Sequence, residues 1–305
     1  MEKFRNFRTI AVVAFALLSG ALTANAQKVR IGIKDVTFAK ALVESLANEY
    51  NKENAEVQIE VVNSADADAN VQIADNDLAA IGKFVILPIA NSENEILTNK
   101  KLRKGINGKL GKQIFVQPTY EETLDAEEEG EKPLPGTVYS LSGSKAVITK
   151  LFAENLHTTP NLLKGKKVLG REENVISVVK QQTDAISFNV ANLIYDLNNR
   201  QPQQGISVLS IDLDGNDRVS DEERAALANI DALTEYINNT AKPSAAVGEV
   251  VITSDNQKVR DFVTWIQTKG QEIVTRQGFL KVHGAMTALR YTMLLSPSSL
   301  MGGGG

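Results

Sequence analysis

The chain has 305 residues, a formal net charge of −4 at pH 7, no cysteine and two histidines. That length accommodates two lobes with a core each, and the acidic balance argues against a nucleic-acid binder. Without cysteine there is no disulfide framework and no thiolate metal site, and His157 with His283 cannot build a His-rich zinc site.

The first residues read as an export signal. Lys3, Arg5 and Arg8 precede an apolar run over 9–22, and Ala24-Asn25-Ala26 follows with the small-x-small cleavage pattern. The run is too short to span a bilayer comfortably, which favours cleavage after Ala26 over an uncleaved anchor. Cleavage removes three basic residues and one acid, so the mature chain from Gln27 is more acidic still. No later segment is apolar enough to cross a membrane, so the expected location is the periplasm or outside the cell.

Residues 29–33 alternate and predict a strand, 38–50 carry apolar residues at helical spacing, and 57–62 predict a second strand. This strand–helix–strand start implies a parallel sheet with a crossover helix. Residues 63–77 are rich in Asp, Ala and Asn and read as loop with one short helix. The apolar run 84–90 predicts a buried strand end, stopped by Pro88. Residues 98–111 are basic and read as a solvated helix face, with a binding patch as the alternative. The acidic, Pro- and Gly-bearing stretch 121–136 predicts a mobile surface loop.

Residues 137–140 predict a short strand, and Ser142-Gly143-Ser144 is expected to open a helix through 156. Strands are predicted at 166–169, 185–188, 206–211 and 250–252. Helices are predicted at 174–182, 191–198, 222–238 and 258–277, the last one long and amphipathic around Trp265. The four glycines at 302–305 close an unstructured tail, and no internal repeat is visible.

The most specific motif is the stretch 212–223. Asp212, Asp214 and Asn216 stand at its first, third and fifth places, Ser220 at the ninth and Glu223 at the twelfth. With the backbone carbonyl of Arg218 at the seventh, that is the oxygen spacing of an EF-hand calcium loop. Val219 at the eighth place is expected to pack inward. The sixth place is Asp217 where Gly usually takes the turn, and Asp tolerates positive φ better than most residues. The plainer alternative is an Asp-rich turn that binds nothing. A single loop preceded by a strand is expected to staple the chain with a structural calcium ion rather than to act as a paired sensor.

Ser142, Gly143 and Ser144 lie between a predicted strand and a predicted helix, where free N–H groups and hydroxyls can cradle an anion, or where a Ser simply caps the helix. Thr37 stands at the matching place after the first strand and Arg171 after a later one, each a candidate donor to the same ligand. Asp35 could accept a proton from a protonated oxyanion, or be a turn residue. No Gly-x-Ser-x-Gly elbow, phosphate-loop or dinucleotide fingerprint occurs, so no residue constellation supports an enzyme.

Several segments in order resemble the phosphate-binding solute receptors of ABC importers. They are Ile31-Gly32-Ile33 with its helix, Ile86-Leu87-Pro88-Ile89-Ala90-Asn91, the stretch 97–109, Ser142-Gly143-Ser144, Gly170-Arg171-Glu172-Glu173-Asn174 and Ala185-Ile186-Ser187-Phe188. The resemblance implies an α/β, two-lobed type 2 periplasmic-binding-protein fold. Residues 27–92 with 241–295 would form one lobe, 93–240 the other, and 296–305 a tail. It also implies a small oxyanion, phosphate or a relative, as ligand and ABC-importer membrane subunits as partners. The chain departs from the family pattern at Lys34-Asp35-Val36, where Gly-Ser is usual, and at 63–68, where an Asp-rich stretch replaces a Gly/Ser loop. Those departures keep a second reading open: a degenerate cleft on a protein that acts as an extracytoplasmic interaction scaffold.

Overall fold

The computed structural model describes residues 26–34, 36–64, 66–74, 78–128, 133–142 and 146–282. The expected signal cleavage and the tail lie outside the described residues, apart from Ala26 at the cleavage point. So does Asp35. No helix among the described residues is long and apolar enough to cross a membrane.

Strand β1 (Gln27–Gly32) buries Val29 and Ile31 and exposes Arg30, the period-two signature of a sheet with one covered face. After a 3₁₀ turn at Thr37–Ala39, helix α1 (Lys40–Glu53) covers the sheet with Leu42, Val43, Leu46, Ala47 and Tyr50. Those positions recur every three or four residues, so they form one stripe. Strand β2 (Val57–Val62) then pairs parallel with β1, completing the expected strand–helix–strand unit.

The stretch expected to be loop contains strand β3 (Ala69–Ile73). Its Ala69 and Val71 are buried, and it pairs parallel with β1 and antiparallel with β9 (Ala246–Thr253). Low local strand propensity is overridden by two flanking partners.

Strand β4 (Ala80–Asn91) is the spine of the molecule. Its register runs against β9 from Ala80↔Val251 to Ile86↔Ala246, then against β7 (Ala185–Val190) from Ile86↔Val190 to Ala90↔Ile186. Pro88 does not stop it. Pro88 lies opposite Phe188, and its carbonyl still accepts from the Leu209 N–H at 3.0 Å.

The basic stretch is not one helix. A 3₁₀ turn (Glu95–Thr98) and helix α2 (Lys100–Arg103) precede a break at Gly105, φ +102°, and helix α3 (Gly108–Phe115) follows. Each start is capped by an Asn: Asn94, Asn99 and Asn107 accept from backbone N–H groups just downstream. The expected loop at 121–136 begins as helix α4 (Tyr120–Glu128). Thr119 and Glu122 form a reciprocal cap there: the Thr119 N–H donates to Glu122 Oε2 at 2.7 Å, and the Glu122 N–H to Thr119 Oγ1 at 3.3 Å.

Strand β5 (Thr137–Leu141) leads to helix α5 (Val147–Asn155), which starts later than the expected Ser142 opening and has Ala146 at its N-cap. Strand β6 (Lys166–Val168), helix α6 (Glu172–Gln181), strand β7 (Ala185–Val190), helix α7 (Ala191–Ile194) and strand β8 (Ile206–Val208) follow. Phe115, Phe152 and Phe188 meet in the core of this half, the last two stacked with centroids 3.8 Å apart.

The predicted helix at 222–238 is two, α8 (Asp221–Leu227) and α9 (Ile230–Asn239), because extended Asn229 caps the second. Strand β9 (Ala246–Thr253) returns between β3 and β4. The long C-terminal helix is also two, α10 (Gln257–Thr268) and α11 (Gln271–Arg276), parted at Gly270. A Cβ there would lie 2.9 Å from Leu46 Cδ2, so the break is where the chain presses onto α1. The resulting nine-stranded sheet runs β2-β1-β3-β9-β4-β7-β5-β6, with β8 beside β4.

Candidate functional site

The loop after β1 is held in place by Phe38. Its ring is buried against Phe84 at 5.0 Å and Phe279 at 6.3 Å, and its carbonyl accepts from Asn192 Nδ2 at 2.9 Å. Thr37 is thereby presented toward the second half of the sheet. There its hydroxyl faces Glu172, with Oγ1 donating to Oε2 across 3.5 Å.

Around this meeting point lies a cleft of about 370 Å³. Thr37, Lys40 and Asn63 line it from the first half, Arg171 and Asn192 from the second, and Phe279 from the C-terminal segment. Lys40 is paired with Glu44 at 3.7 Å. Asn192 Oδ1 is buried without a hydrogen-bond partner, so an acceptor beside the cleft is left open.

Arg171 and Glu172 begin α6, and two features fix that start. Gly170 has φ +108°, and a Cβ there would lie 2.7 Å from Asn174 Nδ2, so only glycine makes the turn. Buried Asn189 donates Nδ2 to the Glu172 carbonyl at 2.8 Å and accepts from the Val190 N–H. Arg171, at the N-cap, makes no side-chain cap. Burial pushes the Glu172 carboxyl above its ordinary range. Its own N–H pulls it down, Glu173 pushes it up, and the Thr37 hydroxyl and Arg171 pull it down.

The cleft therefore brings Thr37 and Arg171 together. Ser142 is not on its lining; its N–H is spent on the Val168 carbonyl at 2.8 Å. Gly143 and Ser144 lie outside the described residues. Sequence reasoning passed over Glu172 as a site residue. A Glu after an Arg at a helix start is ordinary, and nothing local announces its burial.

The second candidate is the loop 212–223. Asp212, Asp214 and Glu223 each bring a carboxylate oxygen within 4.8 Å of the others. Asp212 accepts from the N–H groups of Gly215, Asn216 and Asp217, and Asp217 takes φ +63°, as a tight sixth place requires. Fully buried Glu223 accepts from Leu213 N–H at 2.6 Å and Ser220 N–H at 2.6 Å, with Ser220 Oγ returning the bond. Burial, joined by the nearby Glu223 charge, raises the Asp212 carboxyl against the pull of those N–H bonds. Asn216 accepts from Arg218 N–H, while Val219 packs on Gly105, where a Cβ would be 2.1 Å from Val219 Cγ2. Three converging carboxylates are hard oxygen donors of the kind calcium takes, the rest of its roughly six to eight oxygens having to come from elsewhere.

No protein-family model matches the chain, and no curated protein sequence matches it. Solved structures do. One, described as a phosphate ABC transporter substrate-binding protein with bound phosphate from Clostridium perfringens, superposes with a TM-score of 0.54 at 15% identity, over 84% of this chain and 100% of that one. The chain has the type 2 periplasmic-binding-protein fold. An ABC-type phosphate transport receptor from Vibrio cholerae superposes with a TM-score of 0.50 at 10% identity, covering 83% of this chain and 99% of that chain. Thr37 follows β1 and Arg171 follows β6, at the ends of strands and the starts of helices, where open α/β sheets leave a crevice.

Proposed function

We propose that the protein is an exported solute-binding protein that holds a small oxyanion, phosphate or a relative, and delivers it to the membrane subunits of an ABC-type importer. It acts by binding, not by catalysis, in the periplasm or outside the cell. One observation carries the reading: Thr37 and Arg171, from opposite halves of the sheet, meet on one cleft at the start of α6. A hydroxyl, a guanidinium and a helix N-terminus are the donor set an oxyanion needs. Ser142, Gly143 and Ser144 remain candidates for the same ligand.

Calorimetry with inorganic phosphate, sulfate and molybdate tests this. Binding of one of them, weakened about tenfold or more by Arg171→Ala through loss of a charged hydrogen bond, is the expected result. Absence of heat with all three overturns it. A partner pulled down by a protein that binds none of them would favour the interaction-scaffold reading, which the Asp-rich stretch at 63–68 supports.

The loop 212–223 adds a structural calcium ion to the proposal, held by Asp212, Asp214, Asn216, Ser220, Glu223 and the Arg218 carbonyl. A ligand bound only by the folded state raises its melting temperature. Calcium is expected to raise it in the wild type and not in Asp212→Ala. An unchanged wild-type melting curve on adding calcium leaves the loop a plain turn.

A further inference from the structure

We infer that the cleft takes an organic oxyanion, a phosphate monoester with a short apolar body, rather than a bare inorganic ion. The charged head sits at Thr37 and Arg171, and the body lies along the flank of α1. The inference rests on the oxyanion-binding reading above and names the class of ligand within it.

The cleft is too long for a bare ion. Thr37, Lys40, Ala41 and Glu44 line it at steps of three and four residues, so they form one continuous face of the 3₁₀ turn and the start of α1. At the rise of those two helices the face runs about 12 Å. Thr37 stands at one end. Gln277, whose Nε2 donates to Ser45 Oγ at 3.0 Å, marks the other. A tetrahedral oxyanion is one central atom with its oxygens, and it occupies only the Thr37 end. The volume agrees: about 370 Å³ is the size of a site for an organic ligand, which runs from roughly 300 to 1,000 Å³.

The chemistry changes along that length. The head end has the Thr37 hydroxyl and the Arg171 guanidinium. Beyond it the floor is carbon, made by buried Phe38, Leu42 and Phe279. The facing wall is Leu193 and Leu197, both only partly buried. Lys40 and Glu44 neutralise each other at 3.7 Å, so the flank of α1 presents no net charge there. A bare anion gains nothing from this stretch. An apolar body covers Leu193 and Leu197 and removes carbon surface from water on both sides of the contact. Glu173 also lines the cleft, one residue beyond Glu172, so a second anionic group on the body would meet a like charge. A single charged head with an uncharged tail satisfies both ends.

The test is calorimetric titration of butyl phosphate, inorganic phosphate, sulfate and molybdate into the wild type. Butyl phosphate is expected to bind about tenfold or more tighter than each inorganic ion, the gain of burying a few methylene groups. An inorganic ion that binds within about tenfold of butyl phosphate, or tighter, overturns the inference and leaves the oxyanion reading standing. No heat from any of the four anions overturns both. Leu193→Ser and Leu197→Ser, each checked for folding by circular dichroism, locate the body. The advantage of butyl phosphate over inorganic phosphate should shrink in the folded variants, and an unchanged advantage overturns its placement on this wall. Should neither variant fold, the wild-type comparison alone decides the class of ligand.

Discussion

Glu172 carries a cost that its neighbours only partly offset. Burial holds its carboxyl above the ordinary range, so the folded chain takes up this proton at a higher pH than the unfolded chain. The sign follows from linkage. A carboxyl raised on folding opposes stability above its folded pKa, and the penalty fades as pH falls toward the unfolded value near about 4.3. Glu172→Gln is therefore expected to melt higher than the wild type at neutral pH, with the gap closing on acidification. Thermal melts of both proteins across that range measure it, and a gap that does not depend on pH would sink the argument. Asp212 is shifted in the same direction, but it is common to both proteins and cancels in the comparison. Thr37 and Arg171 could be marked from sequence because each follows a predicted strand. Glu172 could not, because its importance comes from Thr37, a residue far away in the chain and near only in the fold.

The elements divide according to whether their signals are local. Helix α1 was legible because five apolar residues repeat at helical spacing within its own length. Strand β3 was not, since its stability comes from β1 on one side and β9 on the other. The start of α4 was present in the letters as Thr119 with Glu122 three places on, a capping signature masked by the acidic composition around it. The splits at Asn229 and Gly270 are also local chemistry, one a side-chain cap and one a close backbone approach. The loop 212–223 depends on an element that its own spacing does not mention. Gly105 leaves the room that Val219 fills, Ile106 donates its N–H to the Ser210 carbonyl at 2.8 Å, and the Asp212 N–H bonds the Ile106 carbonyl at 3.0 Å. Gly105→Ala forces a side chain into positive φ and onto Val219, a strain of about 1–3 kcal/mol. Urea denaturation should show that loss. It should also show a smaller gain from calcium than the wild type has, since the loop can no longer seat its eighth residue.

Across the whole molecule, the sequence order of strand and helix was enough to indicate an α/β sheet with a parallel start, and the pairing order was not. Nothing in residues 246–253 says that they will lie between β3 and β4 rather than at an edge. The two halves of the sheet meet on a continuous β4, whose first part faces β9 and whose last part faces β7 and β8. That continuity places Thr37 and Arg171 on opposite banks of one cleft, because each follows a strand on a different side of the spine.

The insertion of β9 also sets an order of assembly. The first unit, β1 with α1 and β2, can pair as soon as it is made. Ala80, however, has to wait for Val251, and Val71 for Ile252. The early chain thus keeps unpaired strand edges until nearly all of it has been synthesised. Contacts so distant in sequence make closure slow and leave intermediate states prone to association. For this molecule the strand that completes the sheet, β9, follows all the others described, and a chain cut short before residue 246 loses that seam together with Phe262, Trp265 and Phe279, which cover the first half.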